Sequence, residues 1–355
     1  MVNLVHFYDR PGGLEVLLPV MISEMKQREF SVFVIRPPSG DIRSVYAGAG
    51  QEVVYGSRNN LRALLKLARY SMVRREEIFH VFNLGPLYLL ILRLSGIKKI
   101  VYSIHGTTYW KNRTEALIMK LLWRMAADRA NCVFTSNSEY SGDLFSRLVM
   151  PGIECRLLYN FIDPARFRTE PENSRNGDIR KIVYAGRLAY RKGLHRWMKT
   201  AVAIHTLMPG ISFEIYGEGK LKDELAKLIE EANASVYITI MGHSNAIDDV
   251  FRKADLLLFL SERESFGNVV VESIMCGTPV IVSDIPSMRE IFRDFPEFVV
   301  ETGENPANNV IEKLMEADTL RELVSKARAQ FAERFSMANH ISVLDTIYSE
   351  VDGRR

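Results

Sequence analysis

Two glutamates eight positions apart, Glu264 and Glu272, bracket the run Glu-Ser-Phe-Gly-Asn-Val-Val-Val-Glu. A carboxylate can accept hydrogens from two hydroxyls at once, so each glutamate can hold a polyol. The residues after the first, Ser265 to Asn268, fall where a loop opens a helix, between the apolar runs Asp255–Leu260 and Pro279–Val282. A helix start leaves backbone N–H groups without intrahelical partners at the positive end of the dipole, which is a ready anion site. One carboxylate before that site and one further along the helix suit a ligand with a central diphosphate and a polyol on each side. A nucleotide sugar has that shape.

A second loop adds positive charge. Gly186-Arg187-Leu-Ala-Tyr-Arg-Lys192-Gly193 follows an apolar run, and loops at the carboxyl ends of parallel strands are where α/β sheets bind ligands. Arg187 offers a planar fork of donors and Lys192 a movable point charge, both fitted to phosphate oxygens. Alone, such a pattern reads as a solvated basic turn; its company with Glu264 favours the ligand. No Asp-x-Asp occurs in the chain, so a metal clamp on a diphosphate is not expected. Charge on a leaving diphosphate then falls to Arg187, Lys192 and the helix start at Gly267 to Val269. No metal and no cofactor are expected.

With Phe266-Gly267 after the first glutamate and Cys276-Gly-Thr-Pro-Val-Ile281 after the second, this region resembles the donor-site signature of retaining GT-B glycosyltransferases. The best fit is the large bacterial group 1, family 4 type, which acts on lipopolysaccharide, capsule and phospholipid glycosides. The resemblance is firm from Lys181 to Asp284 and looser in the first half. It implies that Glu264 meets hydroxyls of the transferred sugar and Glu272 the ribose hydroxyls, while Arg187 and Lys192 hold the diphosphate. Phe266, Gly267, Asn268 and Val269 complete that loop. Gly217, Gly242 and His243, which end two further strands, correspond to loops holding the base mainly through backbone. Gly13, in the Gly12-Gly13 pair, corresponds to a glycine loop near diphosphate and acceptor, although a plain tight turn explains it nearly as well. His105 matches a histidine near the donor sugar, expected to position or polarise rather than attack. The other histidines considered, His6, His80, His195, His205 and His340, are read as structural. Lys220, where proline is usual, and Phe161, where glycine is usual, depart from the pattern.

The elements that must position these residues alternate between buried-strand runs and helical stretches, the mark of parallel α/β layering. Strands are expected at Val2–Tyr8, Ser31–Arg36, Glu52–Tyr55, Ile78–Phe82, Lys99–His105 and Cys132–Ser136, with a helix over Leu14–Arg28. After the polar stretch Asp163–Arg180 a second set follows at Lys181–Ala185, Ser212–Tyr216, Val236–Met241, Asp255–Leu260, Val280–Ser283 and Phe298–Val300. The fold class is α/β, with two doubly wound Rossmann-like domains. Residues 1–163 would form the acceptor side and 164–336 the donor-binding domain. The apolar stripe Met337, Ile341, Leu344, Tyr348 and Val351 behind Ser336 marks a last helix. The resemblance implies that 337–355 crosses back to the first domain across a central cleft.

The chain has 355 residues, enough for two cores, and a net charge of +3, far from a nucleic-acid binder. Three scattered cysteines, Cys132, Cys155 and Cys276, point to a reducing compartment. No apolar run is long enough to span a bilayer and no signal peptide is evident, so a cytoplasmic location is expected. Two basic stretches mix charge with apolar residues: Leu61 to Arg75 and Trp110 to Arg129. They read as amphipathic helices covering the sheet, or, if the acceptor is a lipid, as contacts with an anionic membrane at the inner face of the plasma membrane.

The expected activity is metal-independent, retaining transfer of a hexose-type sugar from a nucleotide sugar, a UDP-sugar first, to a glycan or lipid-linked acceptor of the cell envelope. A nucleotide-sugar epimerase of the same fold and a catalytically silent nucleotide-binding scaffold are the alternatives.

Overall fold

A computed structural model describes the chain except for residues 8–12, 37–45, 47–51, 107–111, 128–131, 170–177, 304–305 and 354–355, and the side chains of 13–15. The chain divides into two compact units, Met1–Phe161 with Met337–Arg355, and Ile162–Ser336.

In the first unit the strands β1 (Val2–His6), β2 (Phe30–Val34), β3 (Glu52–Tyr55), β4 (Ile78–Phe82), β5 (Ile100–Ile104), β6 (Cys132–Ser136) and β7 (Cys155–Leu157) form one parallel sheet. Their spatial order is β3-β2-β1-β4-β5-β6-β7. Strands covered on both faces show no alternation, which is why β1, β2, β4, β5 and β6 are buried at every residue and read as apolar runs. Helices α1 (Gly13–Glu24), α2 (Asn60–Met72), α3 (Pro86–Leu94), α4 (Arg113–Ala126) and α5 (Glu139–Leu148) connect them. One core holds Leu67, Leu89, Trp123 and Phe145 from α2 to α5; the core on the other face holds Leu18 and Met21 of α1 with Leu344, Ile347 and Tyr348.

The second unit repeats the scheme with β8 (Lys181–Ala185), β9 (Ser212–Tyr216), β10 (Ile238–Gly242), β11 (Leu256–Phe259), β12 (Val280–Ser283) and β13 (Val299–Val300), all parallel, in the order β10-β9-β8-β11-β12-β13. Its helices are α6 (Leu194–Leu207), α7 (Lys222–Glu231), α8 (Ile247–Lys253), α9 (Asn268–Met275), α10 (Pro286–Ile291), α11 (Ala307–Met315) and α12 (Ala317–Arg334). The sheet leaves β8 in both directions, so its topological switch point lies between β8 and β11.

The last helix, α13 (Met337–Asp352), packs into the first unit through Leu344, Ile347, Tyr348 and Val351. Ion pairs Arg28–Asp345 at 2.6 Å and Lys99–Asp352 at 2.9 Å fasten its edge. Three local expectations shift. α1 stops at Glu24, and Arg28 turns to α13 instead of continuing the helix. Val236 lies in a turn, 91% exposed, and β10 starts at Ile238. β7, only three residues long and partly exposed at the sheet edge, was too short to register as an apolar run. Within the expected linker, Arg166 folds against α8, donating to Asp248 at 3.1 Å and to the Asn245 carbonyl at 2.6 Å. Residues 170–177 of that stretch lie outside the described residues.

Candidate active site

The loops after β8 and β11 flank the switch point and are tied together there. The left-handed Gly193, at φ +64°, packs so closely that a Cβ would lie 2.0 Å from the Leu260 carbonyl oxygen. Only glycine fits, and that approach carries Lys192 onto the β11 loop. Lys192 Nζ donates to Glu264 Oε1 at 2.5 Å, and Ser261 Oγ donates to the same oxygen at 2.7 Å. The Arg191 carbonyl lies 3.1 Å from Ser261 Oγ and accepts from the Glu262 N–H at 3.0 Å. The second carboxylate oxygen, Oε2, has an Arg191 guanidinium nitrogen 3.9 Å away. Both Lys192 and Glu264 are buried.

Beneath the pair, Lys192 Nζ sits 5.2 Å from the centre of the Phe259 ring, which stacks on Tyr184. The Tyr184 hydroxyl donates to the Arg187 carbonyl at 3.1 Å and so fixes the loop that presents Arg187. Burial lowers the Lys192 pKa from its usual value, and the Glu264 carboxylate opposes that shift. Arg187 is exposed, with no side-chain hydrogen bond or ion pair among the described residues. The open guanidinium, with the ammonium fixed on the same loop, can offer donors to phosphate oxygens.

Gly267, at φ +100°, turns the chain into α9, whose N-terminus has no side-chain cap. Val270, Val271, Ile274 and Met275 bury one face of α9 and leave Glu272 partly exposed. Its carboxylate has no hydrogen bond among the described residues, and burial raises its pKa to about 7, with Arg166 opposing. Phe266 turns inward, 1% exposed and edge-on to Phe335, so its ring belongs to the core and any ligand contact there runs through backbone. Val269 is half-buried and Asn268 begins the helix.

The β9 and β10 loops join the same end of the sheet. Gly186 N–H donates to the Tyr216 carbonyl at 3.0 Å, Gly217 N–H to Gly242 at 2.7 Å and Leu188 N–H to Glu218 at 3.0 Å. A Cβ on Gly217 would come within 1.8 Å of the Gly186 carbonyl oxygen, so this lacing too requires glycine. His243 is exposed, its Nε2 3.1 Å from Asn245 Oδ1. Gly186, Arg187, Lys192, Gly217, His243, Glu264, Gly267 and Glu272 therefore lie on loops or a helix beyond the carboxyl ends of β8 to β11, and Gly242 is the last residue of β10.

In the first unit His105 follows β5, its ring 5.7 Å from Phe82 and its N–H donating to Asn83 Oδ1 at 3.3 Å. Burial, reinforced by His340, lowers its pKa to about 4, so the imidazole is neutral near pH 7. A neutral ring can position or polarise a group. Gly13 starts α1; its neighbour Gly12 lies outside the described residues, as do Trp110 and Lys111. His80 is structural: its ring nitrogens lie 2.6 Å from both the Tyr348 hydroxyl and Ser103 Oγ. His340 contacts the Tyr159 carbonyl at 2.7 Å, with Phe161 packed edge-on beside it.

Sequence reasoning missed Ser261 and Tyr184. Ser261 carried a signal, three positions before Glu264 in the same loop; Tyr184 carried none, because an aromatic in a buried strand reads as core.

The fold has close relatives in space. The Anabaena protein HepE, solved with UDP and glucose, superposes with a TM-score of 0.82 at 17% identity, over 98% of this chain and 99% of that one. WaaG, a glycosyltransferase involved in lipopolysaccharide biosynthesis, gives 0.74 at 15% identity over 99% and 100%. Two parallel sheets with interleaved helices and these neighbours define a two-domain GT-B glycosyltransferase fold. In sequence, residues 11–166 match the family described as Glycosyltransferase Family 4 and residues 166–331 that described as Glycosyl transferases group 1. The chain belongs to the group 1 glycosyltransferases. Among curated relatives, the N-acetylgalactosamine-N,N'-diacetylbacillosaminyl-diphospho-undecaprenol 4-alpha-N-acetylgalactosaminyltransferase of Campylobacter jejuni is 29% identical over 77% of this chain and 76% of its own. The GDP-mannose:cellobiosyl-diphosphopolyprenol alpha-mannosyltransferase of Xanthomonas campestris is 25% identical over 79% and 73%.

Proposed function

We propose that this glycosyltransferase moves a hexose-type sugar, with retention at the anomeric carbon and without a metal, from a nucleotide sugar to a glycan or lipid-linked acceptor of the cell envelope. A UDP-sugar is the first donor to try, since HepE is solved with UDP and glucose. The reading rests on one observation above the rest: Lys192, Ser261 and Glu264 are interlocked at the switch point of the second sheet, beside an open Arg187. The names of the Campylobacter and Xanthomonas relatives, both acting on polyprenol-linked sugars, support a lipid-linked acceptor.

In this mechanism Arg187, Lys192 and the α9 N-terminus take the negative charge that builds on the leaving diphosphate. Glu264 holds Lys192 through Oε1 and accepts a sugar hydroxyl through Oε2. Glu272 accepts the ribose hydroxyls. The bond from the anomeric carbon to the diphosphate oxygen breaks, with its electron pair staying on phosphate. The acceptor oxygen attacks from the same face, and its proton passes to that phosphate oxygen. His105, neutral, positions the reacting groups.

Thermal stabilisation of the purified chain by UDP, GDP, ADP, CMP and their sugars, with EDTA present, tests the donor site. A selective shift that Arg187→Ala or Glu272→Ala removes supports it. No shift with any nucleotide, in folded protein, refutes it. An activity abolished by EDTA would refute metal independence, and a trapped covalent glycosyl-enzyme the same-face route.

A further inference from the structure

The turn that carries Lys192 is held on two sides. Tyr190–Lys192 form a single 3-10 turn closed by the left-handed Gly193, and α6 begins at Leu194. Hydrogen-bond geometry in such a turn is poor, so its position depends on what surrounds it. On one side stand Leu260 and Glu264 of the β11 loop. On the other is Glu224, in the first turn of α7. Its two carboxylate oxygens take one contact from each flank of the turn: the Tyr190 hydroxyl donates to Oε2 at 3.1 Å, and His195 Nε2 lies 2.6 Å from Oε1. An ionised carboxylate only accepts, so Nε2 carries the hydrogen of that contact. His195 first, then Tyr190, hold the Glu224 carboxyl below its usual pKa. The Tyr190 and His195 rings lie nearly parallel, 12° apart in plane with centres 5.9 Å apart. Tyr190 is nevertheless 66% exposed, so burial does not hold its ring there.

The residues leading into α7 are themselves tied to the neighbouring loops. Leu221 N–H donates to the Leu188 carbonyl at 3.2 Å, answering the bond from Leu188 N–H to the Glu218 carbonyl. A Cβ on Gly219 would stand 2.2 Å from the Leu188 carbonyl oxygen. Lys222 Nζ donates to Glu218 Oε1 at 2.9 Å, and that oxygen lies 3.2 Å from where a Cβ on Gly242 would be. The start of α7 is thus fixed against the ends of β8, β9 and β10, and from that fixed place Glu224 reaches the Lys192 turn.

We infer that Glu224 is a positioning residue of the proposed donor site: through Tyr190 and His195 it braces the Lys192 turn against α7, opposite the grip of Glu264, and so sets the diphosphate loop relative to the β9 and β10 loops. Exposed contacts of this kind contribute little to global stability, so the arrangement is not a staple of the fold. A cation that meets a phosphate gains from being held in place by supporting hydrogen bonds. The inference rests on the donor site under Proposed function, in which Lys192 meets the diphosphate.

Titration calorimetry of the full chain with UDP, GDP and ADP, each beside its monophosphate, tests this. Glu224→Ala should lower affinity for the diphosphate that binds by about fivefold, with a loss under about twofold for the monophosphate and no change in the urea midpoint. Tyr190→Phe and His195→Leu should each weaken the diphosphate in the same selective way, and neither should add its full loss in the Glu224→Ala background. His195→Gln keeps a donor at the reach of Nε2 and should bind within about twofold of the unaltered chain. An unchanged diphosphate affinity in Glu224→Ala overturns the inference. So do equal losses for monophosphate and diphosphate, fully additive losses, or a His195→Gln variant as weak as His195→Leu. If the unaltered chain binds none of the three diphosphates, the donor-site reading fails and the brace with it; diphosphate binding that Glu224→Ala leaves intact refutes the brace alone.

Discussion

Lys192 and Glu264 are separated by 72 positions in the chain, yet their side chains meet at 2.5 Å in a buried contact that joins the β8 and β11 loops. The pair binds two loops on opposite sides of the switch point and holds a cation on the same loop as the exposed Arg187. Its two charges depend on one another. Removing one leaves the other buried and uncompensated, which costs far more than the intact pair contributes.

Lys192→Met should therefore destabilise the protein by about 3–5 kcal/mol, and Glu264→Gln by a similar order. The double variant should lose clearly less than the sum of the two, because neither residual charge is stranded. Urea denaturation of the three variants checks this; additive losses would refute the coupling. All three should lose donor binding.

Nucleotide binding should depend on pH through Glu272. Its pKa in the folded protein is raised to about 7 from 4.5. Between those values the native state holds a proton that the unfolded chain has released, so the stabilising effect of the neutral form is lost as pH rises through that window. Ribose hydroxyls favour the ionised carboxylate, and binding below pH 7 must release the proton. Affinity should rise with pH up to about 7 and then level, with a loss of about tenfold between pH 8 and pH 6. Titration calorimetry in buffers of different ionisation enthalpy measures the released proton, and Glu272→Gln should abolish the slope.

Gly193→Ala adds a Cβ that would stand 2.0 Å from the Leu260 carbonyl oxygen in a left-handed conformation. A loss of about 1–3 kcal/mol is expected from the backbone alone. Because that turn carries Lys192 to Glu264, the variant should bind nucleotide weakly even where it remains folded. Full nucleotide affinity in Gly193→Ala would show that the close approach is dispensable.

Acid should loosen the first unit. His6, His105 and His340 have pKa values lowered to about 4, and His80 lies well below its usual value, in each case chiefly through burial. The unfolded chain binds these protons first, so stability is complete above about pH 6.5 and falls as pH drops toward 4. His80 bridges Tyr348 of α13 and Ser103 of β5, so protonating it strains the helix's seat on the sheet. Hydrogen exchange followed from pH 7 to about 5 should show β4, β5 and α13 amides losing protection together, and His340→Asn should blunt the effect.

Much of the fold could be read from the chain. Parallel strands buried on both faces must be short unbroken apolar runs, so β4, β5 and β11 stood out as soon as they were separated by helical stretches. Glu264, Glu272, Arg187 and Lys192 could be singled out as candidates, since their residue types and their placement on loops and on α9 suggest a chemistry that does not depend on packing detail. β7 escaped because three half-exposed edge residues leave almost no pattern. The apolar residues of α4 divide between the core, Trp123 and Ala126, and the exposed Leu117, Ile118, Leu121 and Met125, because periodicity shows that a stripe exists without showing which side the sheet lies on.

The sequence alone determined the α/β layering and the candidate loops at the strand ends, through local properties: strand burial, glycine turns and the charge of single side chains. Only the tertiary structure decided that Lys192 is paired with Glu264, that Ser261 and Tyr184 support that pair and Arg187, that His80 reaches Tyr348 at a separation of 268 residues, and that α13 belongs to the first unit. The Lys192–Glu264 and His80–Tyr348 contacts and the seat of α13 join distant segments, while the supports from Ser261 and Tyr184 each span three residues but depend on how their loops fold. Their geometry follows from sheet order and close packing, which no local window of sequence contains.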